Sequence, residues 1–152
     1  MKPPIHYRVH ILMEPIKSIR KMELKFIYNS NQLKERKALA YILSLDKHVI
    51  NEVDVHKMKV TERQLAELAE KLGVEVSGLL DEEKEYYKDN LKGTDLDEND
   101  ILGVIKSNPE VLKTPIVATE DSARFVGSAY DFNNIDLDFN SNKDEMSNRD
   151  EK

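Results

Sequence analysis

The segment from Met22 to Val55 constrains the fold more than any other part of the chain. Leu24, Phe26 and Tyr28 alternate with Glu23, Lys25 and Asn29, and Ile27 adds a second apolar face. That pattern suits a strand covered on both sides. After the polar turn Asn29-Ser30-Asn31, residues 32–45 place Leu33, Ala40 and Leu43, flanked by Leu39 and Ile42, on one broad apolar helix face. His48 to Asp54 then supplies Val49, Ile50 and Val53, followed by Val55, residue types that favour a strand. Strand, helix and strand joined by short links predict a parallel pair with a right-handed crossover.

Further along, Thr61 with Gln64 three residues on is a capping box ahead of Leu65, Leu68, Ala69 and Leu72, and Gly73 stands where a helix stops. Ser77 can cap a short turn carrying Leu79 and Leu80, and residues 83–91 read as a charged helix showing Tyr86, Tyr87 and Leu91. Asp97 caps a helix whose Ile101, Leu102 and Ile105 point inward, and Pro109 begins one more turn. Pro115 to Ala118 and Arg124 to Val126 are short strands joined by Thr119-Glu120-Asp121-Ser122, a link of hairpin length. Residues 128–135 suggest a last helical turn. The expected architecture is an α/β fold with a four-stranded mixed sheet, flanking helices and a helical insertion.

Domain organisation follows from what can be buried. Met1 to Lys21 sustains no helical or strand period and sets Lys2, Arg8, Lys17, Arg20 and Lys21 against the single acid Glu14, so residues 1–21 read as an arm. Residues 22–139 read as the folded domain, and 140–152, rich in Asp, Asn and Ser, as a disordered acidic tail.

Composition excludes several chemistries. The 152 residues contain no cysteine, which removes disulfides, thiolate metal sites and every thiol nucleophile. A net charge of −6 argues against a general basic surface for nucleic acid. No apolar run approaches a membrane span, and no h-region follows Lys2, so a cytoplasmic location is expected, with no membrane and no direct nucleic acid among the partners. His6 and His10 have the spacing of a metal pair, but Pro3, Pro4 and Val9 disfavour a helix there. Asp136, Asp138, Asn140, Asn142 and Asp144 imitate a calcium loop that has Ser141 and Ser147 where Gly and Glu are needed. His48 and His56 read as surface residues. No metal and no cofactor is expected.

Four stretches together resemble the arsenate reductase (ArsC) and Spx group of the thioredoxin superfamily. They are Phe26-Ile27-Tyr28 with the later Arg36-Lys37-Ala38-Leu39-Ala40, Thr61-Glu62 through Leu72-Gly73, Gly78-Leu79-Leu80, and Asn108 through Val117 with its Pro-Ile-Val strand. The resemblance implies a thioredoxin-like, glutaredoxin-like fold and a cis Pro115 that presents the Thr114 backbone to the site. It also implies a nucleophilic cysteine just before the Arg-Lys-Ala helix, where this chain has Gln32 or Leu33. The oxyanion-binding arginines of the family correspond to Asp81, Thr114 and Ser128. Arsenate reduction is therefore not expected. Spx-type relatives bind RNA polymerase, which makes a redox-inactive protein-interaction module, of a regulatory kind, the leading expectation. The alternative is binding of glutathione, another thiol or a small anion at the vestigial site, or a cysteine-independent transferase-like activity. The candidate residues for either are Asn29, Ser30, Asn31, Gln32, Leu33, Arg36, Lys37, Thr114 and Pro115.

Overall fold

The structure is a computed structural model in which residues 22–127 and Asp131 are described. The first strand, β1 (Glu23–Tyr28), leads into helix α1 (Leu33–Leu45) and strand β2 (Val49–Asp54), which pairs parallel to β1 as expected for a right-handed crossover. Helix α2 (Glu62–Leu72) and helix α3 (Glu98–Ser107) follow, with a 3-10 turn at Val76–Leu79 and a wide π turn at Tyr87–Leu91 between them. A 3-10 turn at Pro109–Val111 delivers the chain to the hairpin β3 (Ile116–Ala118) and β4 (Ala123–Phe125). Both hairpin pairings are antiparallel, and the sheet order is β2-β1-β3-β4.

Alternation along β1 divides the core between the two faces of the sheet. Leu24 and Phe26 turn towards α1, where they meet Ile42, Val117 and Val126. Ile27 turns the other way, into a larger apolar cluster with Val55, Leu65, Ala69, Leu79, Ile105, Leu112 and Ile116. That second face is built by helices whose ends are well specified. Thr61 and Gln64 make the reciprocal capping box at the start of α2, and Asp97 and Asp100 make one for α3. Gly73 closes α2 with φ of 72°, a left-handed conformation that a side chain would strain. Gly78 serves a different need, because a Cβ there would lie 2.9 Å from Val74 Cβ.

Two expectations from periodicity are corrected by the structure. The apolar stripe assigned to α1 does not all face the sheet: Ile42 is buried with Ala38 and Leu39 packed beside it, whereas Leu33 and Leu43 are 56% and 44% exposed. The helix turns its Glu35, Ala38, Leu39 and Ile42 edge inward, and Leu33 then falls on the opposite side. The charged helix expected over 83–91 is shorter. The Asp81 carboxylate accepts the Glu83 N–H, holding the entry in a turn, and only the π turn with its immediate lead-in is helical. Both tyrosine rings pack on the larger cluster. The Asn108 side-chain amide donates to the Tyr86 hydroxyl at 3.2 Å. The arm 1–21, its His6 and His10, the turn expected over 128–135 and the tail 140–152 lie outside the described residues, Asp131 apart.

Candidate functional site

The site expected from the sequence is the corner where β1 gives way to α1. The chain turns there through Asn29, Ser30, Asn31 and Gln32, and almost every polar group of the turn is used by the turn itself. Gln32 N–H donates to the Asn29 carbonyl at 3.1 Å, and Asn31 N–H to Asn29 Oδ1 at 2.9 Å. Arg36 reaches back to the Ser30 carbonyl at 2.6 Å, so its guanidinium braces the loop. Gln32 occupies the N-cap position without a capping side-chain bond.

A carboxylate missed in the sequence is the anchor of this corner. Glu35 is only 6% exposed, and its Oε1 accepts the Asn29 N–H at 3.1 Å. Standing in the first turn of α1, it also places negative charge against the positive end of the helix dipole. A dissolved anion would look for the same place, which the protein has filled with its own side chain.

Asn29 is 1% exposed and joins three elements. Its Oδ1 lies 2.8 Å from His56 Nε2, and that nitrogen also stands 3.0 Å from Glu110 Oε2 and 3.1 Å from Asn31 Nδ2. With two oxygen acceptors at such distances, Nε2 carries the hydrogen and donates. His56 is exposed, as the sequence suggests, but it also links Asn29 to Glu110. The sequence could not connect it to Glu110, because 54 positions separate them and only the fold brings the β2 exit beside the Pro109–Val111 turn.

Asp54, the last residue of β2, completes the corner. Its Oδ1 accepts the backbone N–H groups of His56 at 3.1 Å and of Ser30 at 3.4 Å. Burial pushes its carboxyl upward, but hydrogen bonds from the Ser30 side chain and from those backbone groups, with His56 adding its charge, outweigh this and hold it below the ordinary carboxylate value. Tyr28 beside it moves the other way: burial, then the charges of Asp54 and Glu52, push its hydroxyl above the usual phenol range.

The Thr114–Pro115 peptide is cis. Continuing the β1–β3 register past Ile27 and Ile116 puts Pro115 across from Tyr28 and Thr114 across from Asn29. The strand pairing thus directs Thr114 and Pro115 towards the end of β1 from which the loop of Asn29, Ser30, Asn31 and Gln32 departs. Of the residues expected at the site, Asn29 Nδ2 and Thr114 Oγ1 are buried polar atoms with no hydrogen-bond partner among the described residues. Leu33, Arg36 and Lys37 sit on the rim, all exposed. Asp81, where the family pattern has an arginine, donates its N–H to the Val111 carbonyl and so ties the helical insertion to the segment leading to Pro115. Ser128 lies outside the described residues. No group of three or more metal-ligating residues occurs among the described residues, and no described helix is long and apolar enough to cross a membrane.

A parallel β1–β2 pair, an antiparallel β3–β4 hairpin and a cis-proline beside the first loop define a thioredoxin-like domain. Arsenate reductase from Vibrio cholerae superimposes with a TM-score of 0.61 at 23% identity, over 70% of this chain and 91% of that one. The Yersinia pestis "putative arsenate reductase" gives 0.60 at 25% identity, over 67% and 90%. The Bacteroides fragilis "putative ArsC family related protein" gives 0.60 at 16% identity, over 74% and 97%. No protein-family model matches the chain, and no curated protein does. The chain has the ArsC-type thioredoxin fold, and with no cysteine it is a thiol-free version of that architecture.

Proposed function

We propose that the chain acts in the cytoplasm by binding a protein partner, not by catalysis, and that the contact is the rim of the corner: Leu33, Arg36 and Lys37. The observation that supports this most is Leu33, an apolar side chain 56% exposed at the first position of α1. It is flanked by exposed cations at the place where the resembling family carries its nucleophile. Beneath it, the polar groups of the loop are tied to Glu35, Asp54 and Arg36, which makes the corner a firm platform more than a reacting centre. An exposed apolar residue between cations suits an acidic protein surface.

RNA polymerase is the first partner to test, by analogy with Spx-type proteins. Purified polymerase and native lysate are passed over the immobilised full chain, with Leu33→Asp and Lys37→Glu as variants that leave the bracing Arg36 contact intact. Retention by the native chain and about tenfold weaker binding by Leu33→Asp are expected, since each tenfold corresponds to about 1.4 kcal/mol. Equal retention by native chain and variants would remove the proposal.

The unpartnered Asn29 Nδ2 and Thr114 Oγ1 favour a second reading, a small hydrogen-bonding ligand such as glutathione or an oxyanion in the corner. Glu35, Asp54 and Glu110 weigh against an anion there. A ligand present at a hundred times its Kd adds about 2.7 kcal/mol to stability, so thermal shift with glutathione, phosphate, sulfate and arsenate separates the two readings.

A further inference from the structure

Three side chains from separate places in the corner converge on one ring nitrogen. His56 Nε2 lies 2.8 Å from Asn29 Oδ1, 3.0 Å from Glu110 Oε2 and 3.1 Å from Asn31 Nδ2. With its hydrogen on Nε2, as the two oxygens require, the ring meets the Asn31 nitrogen donor against donor. Half a turn of the Asn31 amide about its Cβ–Cγ bond puts the oxygen there instead, because the two ends of an amide have nearly the same shape. The nitrogen then faces three oxygens with a single hydrogen to give. One N–H can be shared between two acceptors, but it cannot serve three.

A divalent cation in place of that hydrogen removes the mismatch. Neighbouring ligands of an ion bound at ~2.1 Å stand ~3.0 Å apart in octahedral geometry, and the separations at Nε2 run from 2.8 to 3.1 Å. The donors are held in place by other contacts. Asn29 is 1% exposed, its backbone N–H is on Glu35, and its Oδ1 is fixed as the oxygen by the Asn31 N–H. The Asp54 carboxylate takes the backbone N–H of His56. Supports of this kind aim the ligands of a metal site. The His56 and Glu110 side chains stay 30% and 40% exposed, so an ion can reach them and water can complete its shell. Only these two are of the kinds that most often bind metal, and no third His, Cys, Asp or Glu joins them among the described residues. Amide oxygens fill that place, as they do for cations that favour oxygen.

We propose that Asn29, Asn31, His56 and Glu110 form a binding site for a divalent cation of the zinc type. One imidazole among oxygens, in a chain without thiolate, suits such an ion better than magnesium. On binding, the ring hydrogen is carried on Nδ1. The ion ties together the β1–α1 loop, the exit of β2 and the Pro109–Val111 turn. The site needs no protein partner, so it stands whether or not the rim of the corner binds one.

The test is titration of the full chain with zinc chloride, and in parallel with magnesium chloride, read by calorimetry and by the histidine ring signals in NMR spectra. With no cysteine to compete, zinc should saturate at one ion per chain, the His56 ring signals should move in step, and magnesium should bind far more weakly. His56→Gln and Glu110→Gln, each checked for a folded spectrum, should weaken zinc by about tenfold or more, the loss that even an outer-shell partner causes. Asn31→Leu, at an exposed position, should weaken it severalfold. His6→Gln with His10→Gln removes the chain's other closely spaced histidine pair and should leave binding unchanged. Zinc that does not saturate, that shifts other histidine rings but not His56, or that is lost with His6 and His10 would overturn the proposal. The His56 ring signals are read in the native chain, so they decide the matter even where a variant fails to fold.

Discussion

The two faces around β1 are held in opposite ways. Under α2 and α3 the structure depends on shape: Leu65, Leu79, Ile105, Val111, Leu112 and Ile116 are almost wholly buried and pack into one apolar cluster. At the β1–α1 corner it depends on hydrogen bonds, with Asn29 and Glu35 buried as polar groups and His56 joining Asn29 to Glu110. The apolar face tolerates changes of sequence that preserve volume, so the scaffold can persist without its active-site thiol. The corner cannot drift so freely, because each buried donor or acceptor that loses its partner carries a desolvation cost.

The sharpest way to break this contrast is to cut into each side. Ile105→Ala or Leu79→Ala should destabilise the chain by about 2–5 kcal/mol through lost burial and a cavity, seen as a lowered midpoint in urea with little change in slope. Glu35→Ala leaves the buried Asn29 N–H without an acceptor and should cost about 1–3 kcal/mol, while Glu35→Gln, which still offers an oxygen, should cost clearly less. If the two Glu35 variants were alike, the corner would be held by packing and the contrast would fail. Thr61→Ala removes one half of the α2 capping box and should cost about 0.5–2 kcal/mol by the same measurement.

Asp54 tests the electrostatic side of the corner. Its carboxyl is held low in the folded chain, so ionised Asp54 stabilises the fold above the ordinary carboxylate pKa, and that contribution is lost as pH falls through its lowered folded value. Asp54→Asn should therefore flatten stability against pH in the acid range, followed by denaturant midpoints at successive pH values. An unchanged slope would show that the Ser30 and His56 bonds do not favour the charged form. The smallest effect belongs to the surface: Arg63→Ala breaks an exposed pair with Glu67 one helical turn away and should shift stability by no more than about 0.5 kcal/mol.

Much of the fold was legible because local signals carry it. The parallel crossover follows from the strand, helix and strand patterns of residues 23–54, and the ends of α2 from Thr61, Gln64 and Gly73. The cis Thr114–Pro115 bond was legible only through the family resemblance, since no local signal distinguishes it from an ordinary proline opening a strand. Of the corner, the sequence marked Asn29, Ser30, Asn31 and Gln32 as a polar turn between β1 and α1, and they form one. Glu35, Asp54, His56 and Glu110 were missed, and so was the exposure of Leu33 and Leu43. A carboxylate in a helix's first turn has the same sequence signature whether it faces water or takes a buried N–H.

By itself, then, the sequence determined which segments are strands and helices, how most of the helices begin and end, and that no thiol chemistry is open to the chain, because these rest on residue identity and spacing within a few positions. Only the tertiary structure decided which side of α1 meets the sheet and which distant polar groups meet at Asn29. Those outcomes depend on contacts between residues far apart in the chain, and the free energy of such a contact exists only once the elements have packed.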